Sequence, residues 1–155
     1  MTETIADNSW LTILTMLPLL GAVLIIARRL MSRDDEQGLV DKAARHVALY
    51  TSVATFLFSL VVYYFYDPSL TGFQLVENVD WLGSDITYKM GVDGVSILFV
   101  LLTTFILPIC IIASWNSITK RVADFMIAFL ILETLMIGVF CALDLVLFYV
   151  FFEAS

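Results

Sequence analysis

Charge is scarce in this sequence. Asp, Glu, Lys and Arg together make up 15% of its 155 residues, where a soluble domain carries about 25%. Histidine occurs once, at His46, and cysteine twice, at Cys110 and Cys141. That inventory holds no His/Cys set for zinc or an iron–sulfur cluster, and no glycine-rich phosphate loop accompanies it. No nucleotide, flavin or iron–sulfur site is therefore expected on this chain, and no cofactor. Basic residues form no stripe, which disfavours nucleic-acid binding. The net charge of −7 marks no particular partner, because the acids collect mostly in two loops.

Apolar residues take up the space. They reach 61% of the chain, and the mean hydropathy is +0.95. A membrane-crossing helix needs about 20 of them in a run, and four such spans are predicted. They are Trp10–Ala27, closed by Arg28-Arg29; Val47–Tyr66, stopped by Asp67-Pro68; about Val92–Trp115; and about Ala123–Ala142. A fifth starts near Asp144 and has roughly half the needed length at Ser155. No signal-peptide pattern precedes the first span, since the N-terminus carries Glu3 and Asp7 rather than basic residues. The expected fold is an all-α polytopic membrane protein: four complete transmembrane helices and the first half of a fifth, in a single membrane domain over residues 1–155. The sequence reads as the N-terminal portion of a larger membrane protein.

Basic residues set orientation. Arg28, Arg29, Arg33, Lys42 and Arg45 lie between spans one and two, and Lys120 and Arg121 between spans three and four. Lys89 alone lies elsewhere. The first group is expected on the cytoplasmic side, which places the N-terminus and the Asp67–Gly91 loop outside. Trp10, Tyr63, Tyr64 and Tyr66 then mark the outer interface and Trp115 the inner one. Cys110 and Cys141 fall near opposite faces of the bilayer, too far apart for the Cα separation of about 7 Å that a disulfide tolerates. Both read as small apolar packing residues.

Two prolines interrupt spans. Pro18 frees the carbonyl of Leu14 and Pro108 that of Thr104, where the hydroxyls of Thr103 and Thr104 can help re-satisfy the backbone. Thr134, Gly138, Cys141 and Ala142 form a stripe that lets another helix approach closely. The outer loop is β-prone over Phe73–Trp81 and Ile86–Met90, with turn residues Gly83-Ser84-Asp85 between. An outer-face β-hairpin is expected. A lone hairpin is marginal in water, so it should lean on another surface, which hints at a multi-subunit assembly.

Two carboxylates lie at membrane depth, Glu133 in span four and Glu153 in span five. Each is nine residues from an interfacial acid, Asp124 or Asp144, which puts both roughly 13–14 Å deep. Placing a carboxylate there costs about 2.5–3.5 kcal/mol on insertion scales. The sequence offers no lysine or arginine at that depth. Low dielectric disfavours the charged form of a carboxyl, which suits a group that takes up and releases protons. A purely structural, permanently neutral acid fits the same residues. Glu133 sits off the small-residue stripe, and its partner is not evident. Asp93, opening span three, and Asp144, opening span five, are expected to cap their helices.

At these residues the sequence resembles a known family. Leu17-Pro-Leu-Leu-Gly21, Gly91-Val-Asp-Gly-Val-Ser-Ile-Leu98, Ser114-Trp115 and Ala142-Leu-Asp-Leu-Val-Leu-Phe-Tyr-Val-Phe-Phe-Glu-Ala154 resemble the antiporter-like membrane subunits of respiratory complex I. Within them, Phe151-Phe152-Glu153 is most similar to the chain 4, or M, branch of bacterial NADH:quinone oxidoreductase. The resemblance implies a proton-translocating channel in the bacterial cytoplasmic membrane, with Glu153 as its key carboxylate. It also implies a lysine partner on a later broken helix, and the antiporter-like subunits L and N as neighbours. Glu133 is carried over less firmly, as a second proton-translocating candidate. Two other readings fit the residues: a subunit of a multi-subunit sodium/proton antiporter, and a non-transporting membrane scaffold.

Overall fold

The computed structural model describes residues 9–80 and 87–155. Five α-helices carry the architecture: α1 Trp10–Met31, α2 Gln37–Phe65, α3 Gly94–Ala113, α4 Val122–Cys141 and α5 Leu145–Ala154. A 3₁₀ turn, Asp34–Glu36, leads into α2. Two antiparallel strands, β1 Gln74–Asp80 and β2 Thr87–Val92, stand between α2 and α3. Four of the helices are long and apolar enough to cross a membrane. The Gly83-Ser84-Asp85 turn lies outside the described residues.

Helix bounds differ from the apolar runs where charged residues continue a helix past the hydrocarbon. The helix α1 passes through Arg28 and Arg29 to Met31, and α2 begins at Gln37 rather than Val47. At 1.5 Å per residue, the 29 residues of α2 extend about 43 Å, against a hydrocarbon core of about 30 Å. Its first turns therefore project beyond the apolar layer. Hydropathy marks where lipid ends, whereas backbone hydrogen bonding marks where the helix ends.

Among the described residues, the helix ends gather at two ends of the bundle. The start of α1, the end of α2, the hairpin, the start of α3, the end of α4 and the start of α5 share one end. The segments around residues 28–37 and 114–121 share the other. There Arg29 of α1 pairs with Asp124 in the first turn of α4, and Arg121 reaches the same carboxylate at 3.1 Å. Arg45 of α2 donates to the Ile118 carbonyl at 2.8 Å, tying α2 to the connection before α4.

The helix α4 lies at the centre, packed against each of the other four. Close approach depends on small residues. A Cβ on Gly21 would come within 2.6 Å of the Thr51 side chain, and one on Gly138 within 2.6 Å of the Phe151 ring. Gly138, in the stripe read from the sequence, is thus where the Phe151 ring of α5 sits.

The hairpin leans on this chain's own helices. Met90 and Val92 of β2 are fully buried in the same cluster as Leu11, Ile97 and Ile137. Met90 bridges to Ala142, and the Leu143 N–H donates to the Lys89 carbonyl at 2.9 Å. The need for a supporting surface is met within the chain, so it does not itself call for another subunit. The strands pair Glu77 with Met90 and Val79 with Tyr88; the register shifts between Gln74 and Glu77, where Leu75 takes φ 54°.

Candidate functional site: a buried polar belt around Glu133

The apolar core is divided in two. One cluster joins Ala22, Ile25, Ala44, Ala48, Ile111 and Met126 near the arginine-rich end. The other joins Leu14, Val62, Met90, Val100 and Ile137 near the hairpin. Between them along the helices lie Thr15 of α1, Ser52, Thr55 and Ser59 of α2, Thr104 of α3, and Glu133 and Thr134 of α4, all buried. Buried polar groups are costly unless hydrogen-bonded, and most of this belt is satisfied at short range. Thr15 donates to the Leu11 carbonyl at 2.7 Å, Thr55 to Thr51 at 2.8 Å and Ser52 to Leu49 at 2.9 Å. One contact crosses between helices: the hydroxyls of Ser59 and Thr104 lie 2.9 Å apart.

Glu133 is the exception. It is fully buried, and neither carboxylate oxygen has a hydrogen-bond partner among the described residues; the Thr134 hydroxyl is likewise unpartnered. Leaving such a group unsatisfied costs about 1–3 kcal/mol, more when charged, so these atoms mark where water, a proton or another group must enter. Burial covers both Glu133 and the Thr134–Gly138–Cys141 stripe; α4 is enclosed on more than one side, so the distinction of faces does not separate them.

The threonines beside Pro108 act differently from the expected repair. Thr103 donates to the Phe99 carbonyl at 2.8 Å. Thr104 bonds within the preceding turn, 3.0 Å from the carbonyls of Val100 and Leu101. Neither donates to the Thr104 carbonyl that the proline frees.

Glu153 stands apart. It is exposed near the end of α5, on the face carrying Leu145, Tyr149 and Phe152. No hydrogen bond or ion pair joins it to Glu133 among the described residues. The two candidate acids therefore occupy different environments, one enclosed by the bundle and one on a helix surface.

The interfacial acids cap as expected. Asp93 accepts the backbone N–H groups of Val95 at 3.1 Å and Ser96 at 2.7 Å. The Ser96 N–H, ahead of its other contacts, holds the Asp93 carboxyl below the usual carboxylate range. Asp144 accepts from Val146 at 2.9 Å and Leu147 at 3.3 Å.

One buried acid escapes a reading of the sequence. Glu77 of β1 is buried beneath the hairpin, and its Oε1 accepts the backbone N–H of Leu11 at 2.7 Å and of Thr12 at 3.2 Å. Its Oε2 accepts from the Thr12 hydroxyl, which lies 3.1 Å from the Tyr88 hydroxyl. Burial pushes the Tyr88 phenol above its ordinary range. The only local signal for Glu77 is an acid inside a β-prone run.

Comparison with known proteins places this architecture. The family described as "NADH-ubiquinone oxidoreductase chain 4, amino terminus" matches residues 43–142, a stretch that includes Glu133 but not Glu153. NADH-quinone oxidoreductase subunit M of Rhodobacter capsulatus is 50% identical over 145 residues, covering 94% of this chain and 27% of that protein. NADH-ubiquinone oxidoreductase chain 4 of Arabidopsis thaliana is 50% identical over 111 residues, covering 71% and 22%. The corresponding chain of Mycosarcoma maydis is 40% identical over 144 residues, covering 93% and 28%. The chain thus spans between a fifth and three tenths of the length of these relatives. It belongs to the NADH-quinone oxidoreductase chain 4 (subunit M) family, and it corresponds to that family's N-terminal portion.

Proposed function

We propose that this chain contributes to proton translocation as a membrane subunit of NADH:quinone oxidoreductase, coupling quinone reduction to ion movement through buried glutamates. The observation that carries the reading is Glu133: a fully buried carboxylate without a hydrogen-bond partner among the described residues, set in a polar belt between two apolar clusters. An acid retained there against its desolvation cost suits a role in which its proton comes and goes. Glu153 is the second acid of the relay, on a helix that packs on α4 through Phe151 and Gly138. Turnover belongs to redox subunits elsewhere in the complex, and this chain brings no redox cofactor of its own. Its neighbours are other membrane subunits, including the antiporter-like chains L and N. The charge distribution supports one membrane domain in the bacterial cytoplasmic membrane with the N-terminus outside.

The test uses the full-length subunit within its assembled complex. Glu153→Gln keeps size and hydrogen bonding but removes the titrating proton, and Glu133→Gln does the same on α4. Membrane vesicles carrying each variant are assayed for assembly, NADH-driven quinone reduction and pH-gradient formation. Assembly survives in both; pumping falls severely in Glu153→Gln and to a lesser degree in Glu133→Gln. Undiminished pumping by an assembled Glu153→Gln complex would remove that residue from the relay.

A further inference from the structure

The helix α5 presents two faces of opposite character. Leu147 is 4% exposed, and Phe151 packs with it against the cluster that holds Ile137 and Cys141 of α4. Tyr149 is 61% exposed, and it shares an open pocket with Glu153. Spacing explains the division. Successive helical residues turn by about 100°, so positions four apart share a face and positions two apart point nearly opposite ways. Leu147 and Phe151 form one side of α5, and Tyr149 and Glu153 the other.

Two points fix how α5 is turned. At its start, the Asp144 carboxylate accepts the N–H groups of Val146 and Leu147. Further along, the Phe151 ring occupies the space that a side chain at position 138 would need. A Cβ on Gly138 would fall 2.6 Å from two of the ring carbons, well inside van der Waals contact. Any side chain there must push the ring, and α5 with it, outward or around its axis. Glu153 follows two residues later, about 3 Å further along the helix, so its carboxyl moves with the ring. Proton exchange tolerates little of that, because a hydrogen bond reaches about 2.6–3.2 Å and a functional side chain needs holding to about 0.5 Å and 10–20°.

We propose that Gly138 is a positioning residue for Glu153. Its missing side chain seats the Phe151 ring, and the seated ring directs the Glu153 carboxyl away from α4, to the side that carries Tyr149. This role rests on the reading of Glu153 as an acid of the relay. It also constrains the route: a proton leaving Glu153 departs from the face opposite α4, so it does not pass straight across the α4/α5 contact to Glu133.

The experiment uses the full-length subunit in its assembled complex, in membrane vesicles, with the rate of pH-gradient formation expressed per assembled complex. In Gly138→Ala that rate falls roughly ten- to a hundredfold, the scale set by a displacement of about 1 Å. The pH of half-maximal pumping moves as well, because the displaced carboxyl meets different neighbours; Tyr149 is the titratable group of α5 that shares its face. Gly138→Ala/Phe151→Leu recovers rate and profile together, since the smaller side chain vacates the space the methyl takes. An assembled Gly138→Ala complex that is scarcer or less heat-stable, yet pumps at the parental rate with the parental pH profile, would overturn the proposal. Where Gly138→Ala does not assemble, Phe151→Leu alone replaces it: the loosened seat lowers the rate severalfold, and a parental rate and profile would overturn the proposal equally. Failure of both to assemble would assign the contact to folding and overturn it too. Glu153→Gln, measured alongside, separates the two readings. Full pumping there removes Glu153 from the relay, and this role with it. Lost pumping there, beside parental pumping in Gly138→Ala, removes the positioning role alone.

Discussion

Glu77 and Leu11 lie 66 positions apart in sequence, yet the Glu77 carboxylate accepts the Leu11 backbone N–H at 2.7 Å. Ser9, which precedes α1, makes no side-chain cap. The first N–H groups of a helix have no partner within it, and they form the positive end of its dipole. A hairpin residue therefore performs the capping that the local sequence does not. The first helix, the hairpin and, through Tyr88, the second strand are joined at one point.

Glu77→Ala strands these N–H groups in a buried site and should destabilise the protein by about 1.5–3 kcal/mol, the range for hydrogen bonds to a charged group. Glu77→Gln keeps one acceptor oxygen and should lose roughly half as much. Thermal unfolding of the detergent-solubilised protein measures both. Parental stability in Glu77→Ala would show that water caps α1 equally well.

Gly138 and Phe151 give a steric test. A Cβ at position 138 meets the Phe151 ring at 2.6 Å, and a ring cannot yield as the end of a flexible chain does. Gly138→Ala should cost about 1–3 kcal/mol, as overpacking does. Adding Phe151→Leu should return part of the loss if the clash is its cause. Double-mutant analysis of thermal stability checks the coupling, and purely additive effects would refute it.

Orientation is open to direct labelling. Single cysteines replacing Ser69 and Ser32, in a background lacking Cys110 and Cys141, should react differently with an impermeant thiol reagent. Ser69→Cys is expected to label on intact cells, and Ser32→Cys only after permeabilisation. The reverse pattern would invert the proposed topology.

Capping shows how much of this molecule is local and how much is not. Asp93 and Asp144 stand two and three residues from the N–H groups they accept, so an acid at the start of an apolar run suffices to place them. Glu77 is invisible by the same reasoning, because its partners come from a distant helix end. The prolines teach a related lesson. Pro18 and Pro108 sit inside α1 and α3 as read, but which carbonyl each nearby hydroxyl chooses depends on side-chain rotamers that no spacing reveals.

Sequence alone marks the apolar runs, the β-prone strands and the nine-residue spacing that sets Glu133 from Asp124 and Glu153 from Asp144. Hydropathy, β-alternation and helical rise are properties of consecutive residues, and the bilayer imposes a fixed length on them. The tertiary structure decides which of those acids is enclosed. Glu133 is fully buried on the central helix α4, with no hydrogen-bond partner among the described residues, while Glu153 lies on the surface of α5. Burial is set by which helices pack against α4: a periodic stripe such as Thr134, Gly138 and Cys141 marks a packed face, but it does not say which helices cover the residues beside it.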